Sequence, residues 1–347
     1  MTTKYTIRDI AKMAGVSKGT VDRVIHKRGK VSETALKKVN AILDDIDFTP
    51  NLIAKNLKNN KVYHICVLLP DPKKDSYWEP CASGIDDVIA ELGVFGINIE
   101  TLFFDPTSTK SFLDVNLAIQ NTTPDAVLLV PLFFKEAGIV MQHYDALGIR
   151  VSTFNNTIES HAVKSFIGQD LHQSGRVAAK LLHSITQKGD VAILHIDEKY
   201  KNAVFMQEKE QGFRNYFDAL PNADYNVLKC KLKHPDFDNV LSDFLEANPK
   251  LTGIFVTTSK TYQVADFLQN KDHKHIALVG YDLLNENVAH LKKGTIDFLI
   301  HQNPKQQAYF GLKFLIEHFL FEKDIPAQLL LPIDIVNSEN VGPFMRD

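Results

Sequence analysis

The chain is poor in cysteine. Its three residues, Cys66, Cys81 and Cys230, are scattered, with no CxxC or zinc-type His/Cys pairing. That usage fits a reducing cytosol and argues against disulfides or a zinc site. Long apolar runs are absent as well. No stretch approaches the ~18 apolar residues of a membrane span, so no membrane partner is expected. The opening residues MTTKYT contain no apolar h-region, which argues against a signal peptide and makes a cytoplasmic location the expectation. Catalytic signatures are missing too: there is no GxSxG, P-loop, HExxH or GxGxxG. The 13 histidines are dispersed, with His143, His172, His195 and His301 isolated, and HPDFD (234–238) reads as a turn and a helix start. No catalytic residue, metal or cofactor is therefore expected. Internal repeats, low-complexity tracts and leucine heptads are likewise missing, so nothing points to a tetramerising coiled coil.

What is present is an asymmetry of charge. At 347 residues, two or three domains are expected. Residues 1–61 carry thirteen Lys/Arg against six Asp/Glu, a net of +7, whereas the remaining 286 residues carry a net of −10. A basic head on an acidic body suggests a polyanion partner for the head alone. Within the head, Thr6 is a candidate N-cap followed by Ile7, Ile10, Ala11 and Ala14 at helical spacing. Gly15 makes a tight turn, and Ser17 caps a second helix from Lys18 to about His26, with Val21, Val24 and Ile25 inward. Ser32 caps a third helix with Leu36, Val39, Ile42 and Leu43 inward. Two short helices joined by a Gly-containing turn form a helix-turn-helix, whose second helix enters the DNA major groove.

The stretch AGVSKGTVDRVIHKRGKVS, together with the later TPNLIAKNL, resembles the lactose/galactose repressor family of bacterial transcription regulators. The residues expected at DNA are Thr6, Ser17, Lys18, Thr20, Asp22, Arg23 and His26. Lys and Arg can pair with guanine or phosphate, and Thr can offer a hydroxyl or methyl. Asp22 departs from the serine usual in the family. Its carboxylate either accepts from a cytosine amino group or pairs with Lys18 or His26 at i,i±4. Gly19 is a second departure, so an operator sequence does not carry over. After Thr49-Pro50, Asn51 caps a short helix, 52–58, that is marginal by itself. In the family this segment folds when two subunits meet over DNA and a leucine wedges into the minor groove. The resemblance implies Leu57 for that role, with Asn51 as cap and Ala54 at the close-packed position.

From residue 62 onward, short apolar runs alternate with helical stretches at roughly 25–30 residues, which predicts βαβ units and parallel sheets. The runs are 64–70, 97–104, 125–131 and 149–155, then 190–196, 225–232, 251–257, 275–282 and 296–302. The expected architecture is an all-α helix-turn-helix head (1–48), a hinge (49–61) and an α/β body (62–347) of two doubly wound lobes. The first lobe takes about 62–165 and 303–325, the second about 166–300 and 328–347. A ligand should bind where strand C-termini from both lobes converge.

The body resembles the ribose-binding type of periplasmic sugar-binding proteins, which is also the effector-binding body of the repressor family. That resemblance implies a sugar or sugar-derivative effector and a set of contacts. Tyr77 and the lone Trp78 follow Asp75 in a loop that stacks on a sugar ring in relatives. Asn155 stands where relatives often carry Asp, and Lys209 where they usually carry Arg. Asp282 matches the Asp of a Gly-Phe/Tyr-Asp motif, and Gln302 a glutamine at the third interlobe crossing. The expectation is a homodimeric regulator on a near-palindromic operator. The alternatives are a sugar-binding receptor, or a cleft enzyme with an accessory helical head.

Overall fold

The computed structural model describes residues 5–25, 29–46, 62–92, 96–186, 189–196, 204–220, 225–271 and 276–345. The chain divides into two compact units, 1–61 and 62–347. The hinge positions Asn51, Ala54 and Leu57, and His26 in the head, lie outside the described residues.

The first unit contains α1 (Ile7–Ala14), α2 (Lys18–Ile25) and α3 (Glu33–Asp45). Each start is held by a side chain, because the first turn of a helix leaves its N–H groups without partners. Thr6 and Asp9 form a capping box: the Thr6 hydroxyl accepts from Asp9 N at 3.3 Å, and the Asp9 carboxylate accepts from Thr6 N at 2.9 Å. Ser17 Oγ accepts from Thr20 N at 3.1 Å, and Ser32 Oγ from Ala35 N at 3.4 Å. Gly15 ends α1 at φ 64°, a backbone state that disfavours a Cβ. Ile10, Ala11, Ala14, Val21, Val24 and Val39 make the small core. Leu36, expected inward, is 41% exposed. The buried stripe of α3 centres on Val39 and runs through Ala35, Ile42 and Leu43, leaving Leu36 at its margin.

The second unit opens with β1 (Tyr63–Pro70), α4 (Glu79–Leu92), β2 (Ile97–Phe104), α5 (Thr109–Thr122), β3 (Ala126–Leu129), α6 (Phe134–Ala146), β4 (Arg150–Phe154) and β5 (Val163–Gly168). It continues with α7 (Leu171–Ile185), β6 (Asp190–Ile196), α8 (Val204–Asp218), β7 (Val227–Leu232), α9 (Phe237–Ala247), β8 (Leu251–Val256), α10 (Thr261–Asn270), β9 (Ala277–Tyr281), α11 (Asn285–Lys293) and β10 (Phe298–His301). The long α12 (Pro304–Phe321) and the short β11 (Gln328–Leu330) and β12 (Asp334–Val336) follow.

Among the described residues the strands form two sheets. The first has the order β11-β5-β4-β3-β1-β2 and is parallel throughout. The second has the order β12-β10-β9-β8-β6-β7 and is parallel except for the β10–β12 pair. Helices cover both faces, so the inner strands are buried along most of their length, as in β6, where Val191 to Ile196 are all buried and only His195 among them is polar. Two apolar clusters flank the first sheet and two flank the second.

The lobe limits differ from the expected ones at two places. β5, absent from the sequence reading, extends the first sheet to Gly168, so that lobe does not end near 165. β11 also joins the first sheet, although 328–347 was expected in the second lobe. β5 is interrupted by Lys164 and Ser165, and β11 is Gln-Leu-Leu with only its middle residue half-buried, so neither stands out as an apolar run. Three crossings consequently join the lobes: Gly168–Asp170, His301–Pro304 and Leu330–Asp334. Gln169 sits between them. Its Nε2 donates to His301 O at 3.0 Å and to Pro332 O at 2.6 Å.

Candidate functional site

The C-terminal ends of both sheets open onto one cleft. From the first lobe, the loop after β1 makes a 3-10 turn, Ser76–Trp78, begun by Asp75, whose Oδ1 accepts from Tyr77 N at 3.1 Å. β4 ends at Phe154, and Asn155 turns the chain at φ 65°, a state Asn tolerates. Its Nδ2 donates to the Tyr77 hydroxyl at 2.5 Å. Trp78 lies edge-on to Tyr77 and Phe154, with ring centroids 4.8 and 6.5 Å apart. It packs into the core and reaches the cleft at the same time.

From the second lobe, α8 supplies Lys209, the end of β9 supplies Asp282 and the end of β10 supplies Gln302. All seven expected ligand residues, Asp75, Tyr77, Trp78, Asn155, Lys209, Asp282 and Gln302, line a single cavity of about 160 Å³. Lys209 is buried. Its Nζ donates to Thr257 O at 3.3 Å and Gln302 Oε1 at 3.4 Å, and stands 3.5 Å from the Tyr281 ring centroid. Burial pulls its pKa down to about 8, opposed by the charge of Asp282. Asp282 Oδ2 accepts from Gln302 Nε2 at 2.8 Å. Burial pushes its carboxyl up to about 6, against the Lys209 charge and the Gln302 bonds. The carboxylate does not cap the following helix: the N-cap of α11 is Leu284, and no side chain bonds there.

Sequence reasoning passed over several residues that build this site. Lys260 lines the cavity as a second lysine, beside Thr258 and Ser259. Asn287 fixes the backbone that presents Asp282: Nδ2 donates to Ser259 O, Tyr281 O and Asp282 O at 2.7–3.0 Å, and Oδ1 accepts from Tyr262 N at 2.7 Å. Five positions past Asp282, it has no local pattern to mark it. Lys209 is placed by a close crossing of α7 and α8. A Cβ on Gly175 would lie 2.0 Å from Lys209 O, and one on Gly212 1.9 Å from His172 O. A relay supports the floor of the cavity. His195 Nδ1 meets Thr257 Oγ1 and its Nε2 meets Glu210 Oε2, both at 2.8 Å. Glu210 also takes Arg214 and Lys229; despite the opposing effect of burial, these bonds hold its carboxyl down at about 2. The result is a rigid recess with acceptors, donors and an aromatic wall. It is equipped to hold a compact hydroxylated molecule.

In the head, Val21 and Val24 turn inward, leaving Lys18, Asp22 and Arg23 exposed on α2. Thr20 is half-buried, its hydroxyl 2.9 Å from that of Ser17. Thr6 is exposed at the start of α1 with its hydroxyl bonded to Asp9. The spacing gives one solvent-facing side of α2 two cations and one anion. No helix among the described residues is long and apolar enough to cross a membrane.

These features match known families. Residues 65–323 fit the model of the periplasmic binding protein domain, and residues 6–51 that of the bacterial regulatory proteins of the lacI family. The sucrose operon repressor of Streptococcus mutans is 23% identical over 347 residues, covering 96% of this chain and 99% of that protein. The solved structure of a Bacteroides fragilis protein assigned to the LacI transcriptional regulators superposes with a TM-score of 0.74 at 29% identity, over 81% of this chain and 99% of that one. A glucose-galactose binding protein from Geobacillus stearothermophilus shares the fold, with a TM-score of 0.71 at 19% identity over 81% and 99% of the two chains. The chain belongs to the periplasmic-binding-protein domain family and, with a lacI-family head at residues 6–51, is a DNA-binding transcription regulator and not an enzyme.

Proposed function

We propose that the effector is a neutral monosaccharide-sized polyol held between the lobes, and that its binding changes the affinity of a homodimer for a near-palindromic operator. The single observation that supports the effector class is the lining of the 160 Å³ cavity. Asp75 and Asp282 balance Lys209 and Lys260 there, and the amides of Asn155 and Gln302 and the rings of Tyr77 and Trp78 complete the wall. A charge-balanced recess of acceptors, donors and rings suits hydroxyls and C–H faces better than a net anion. The name of a glucose-galactose binding protein among its structural relatives agrees with this class.

In this reading, Lys18, Thr20, Asp22, Arg23 and His26 face the major groove, with Thr6 and Ser17 at phosphates. Asn51, Ala54 and Leu57 form a hinge helix that docks in the minor groove when two subunits meet. Closure of the lobes alters how the paired hinges approach. The coupling is typically ~1–3 kcal/mol and acts in both directions, so operator DNA shifts effector affinity by the same factor.

The test is fluorescence anisotropy on selected duplex DNA, with a panel of monosaccharides, disaccharides, sugar acids and sugar phosphates. A preferred duplex and one neutral monosaccharide that shifts its affinity are the expected result, with Arg23→Ala weakening binding. A response confined to sugar acids or phosphates overturns the neutral class. Absence of any preferred duplex overturns the operator reading.

The effector should also bind less well in acid. The ionised Asp282 accepts hydroxyl protons, and its raised pKa of about 6 means that the charge is lost as pH falls through that value. Calorimetric titration of the active compound from pH 7.5 to 5 is expected to show a progressive fall in affinity centred near pH 6. Affinity independent of pH over that range would remove the carboxylate from the contact set.

A further inference from the structure

We propose that His64, Cys66 and Glu100 form a site for a divalent transition-metal ion of borderline softness, with Zn²⁺ as its natural class of occupant. The site lies on the first lobe, in the N-terminal half of β1 and β2 and away from the cleft at their C-terminal ends. It reverses the sequence-based expectation of no zinc site. Counting cysteines along the chain overlooks a partner supplied by the neighbouring strand.

Strand geometry makes the cluster. His64 and Cys66 are two apart on β1 and so share a face. Glu100 is the direct parallel partner of Cys66 on β2, the edge strand, so its side chain stands on the same face. His64 Nε2 is 3.6 Å from Cys66 Sγ and 3.4 Å from Glu100 Oε2, and Cys66 Sγ is 3.9 Å from Glu100 Oε2. Tetrahedral zinc with ordinary bonds to N, S and O requires donor–donor separations of roughly 3.3–3.6 Å. Two edges of the triangle fit, and the third closes with a small swing of the Glu100 side chain, which is 47% exposed.

The surroundings suit an ion. Cys66 is buried and His64 half-buried, while Glu100 opens to solvent, giving an entry path and a fourth position for water. The His64 backbone is held by Asp125, whose Oδ2 accepts from His64 N at 2.8 Å. Without an ion, burial and the Glu100 charge push the Cys66 thiol up to about 11, so it keeps its proton. Binding forms the metal–sulfur bond and releases that proton to solvent. An imidazole, a thiol and a carboxylate are the ligand types a borderline ion selects. A bare His–Glu ion pair would have no need of the sulfur.

The test is titration of untagged, reduced, full-length protein with Co²⁺, followed by displacement with Zn²⁺. One equivalent of Co²⁺ is expected to give a sulfur-to-cobalt charge-transfer band in the near ultraviolet and the visible bands of tetrahedral cobalt, both erased by Zn²⁺. Cys66→Ser should abolish the charge-transfer band, while Cys81→Ser and Cys230→Ser retain it. Glu100→Gln, an exposed change that spares the fold, should weaken Co²⁺ by more than the ~10–100-fold that outer-shell changes cost. Absence of the band in the wild type overturns the site, as does its persistence in Cys66→Ser. Should Cys66→Ser fail to fold, Glu100→Gln decides: unchanged Co²⁺ affinity overturns the proposal.

Discussion

Replacing Asp282 by Asn is expected to weaken effector binding by about 10–100-fold, since a hydrogen bond to a charged group is worth ~1.5–3 kcal/mol. Operator affinity of the effector-free protein should stay as it was. The substitution is chosen for its backbone. Residue 282 sits at φ 66°, a state that Asn adopts readily and Ala does not. An Asn side-chain oxygen can still accept from Gln302 Nε2, so the stronger of the two Gln302 bonds is kept, while the charge and the long 3.4 Å bond from Gln302 N are lost. Titration calorimetry with the compound found by the anisotropy panel measures the first quantity, and anisotropy without that compound the second. If the variant responds to effector like the wild type, Asp282 serves only the architecture of the β9–β10 ends. If operator affinity collapses as well, the lobes have been disturbed and the contact is unproven.

Gly175→Ala should be, with Gly212→Ala at the same crossing, among the most damaging single methyls in the body. The added carbon would lie 2.0 Å from a backbone carbonyl that belongs to α8, which has no rotamer by which to yield. Helices α7 and α8 would have to move apart, uncovering the cluster that contains Ala178, Ala179, Leu182, Phe213 and Phe217. Overpacking of this kind costs about 1–3 kcal/mol, and a backbone collision belongs at the upper end. Denaturant unfolding should show the loss as a lower midpoint with an unchanged m-value. The carbonyl that is struck belongs to Lys209, so effector affinity should fall too, even under conditions where the variant is folded. A variant as stable as the wild type would mean that the two helices are less tightly apposed than the Gly175–Lys209 approach requires.

How far the site was legible depended on where each residue sits. Strands buried on both faces, such as β1 over residues 65–70, announce themselves as apolar runs, and their C-termini mark the cleft. Asp282, Gln302 and Asn155 stand at such ends, and Trp78 in the loop after the first strand, so topology and family resemblance together were enough to group them. The caps Thr6, Ser17 and Ser32 were readable because capping is local, settled within three residues. What escaped was non-local. Lys260 becomes a lining residue only because β8 and α10 meet at the cleft mouth. Asn287 matters through four bonds to backbone groups, at the end of β9, at Asp282 just past it, in the loop before α10 and in the first turn of α10. β11 owes its strand to three pairs with β5, some 160 positions earlier in the chain. The His64–Glu100 contact depends on parallel register, which no spacing along the sequence encodes.

The amide of Gln169 has a mechanical consequence. Three chain crossings between two rigid bodies would ordinarily permit bending about one axis, twisting about another and some sliding, each with its own soft mode. Gln169 belongs to the first crossing and spends both of its N–H groups on the carbonyls of the other two. Its side chain is 2% exposed, so no water stands by to replace either bond. Displacing one crossing alone would strand a buried donor or acceptor, at a cost of ~1–3 kcal/mol. Moving the three crossings together keeps both bonds, so concerted displacement of all three is favoured over bending at any one of them. In the proposed mechanism, a molecule held in the cleft therefore acts on the three crossings as a unit.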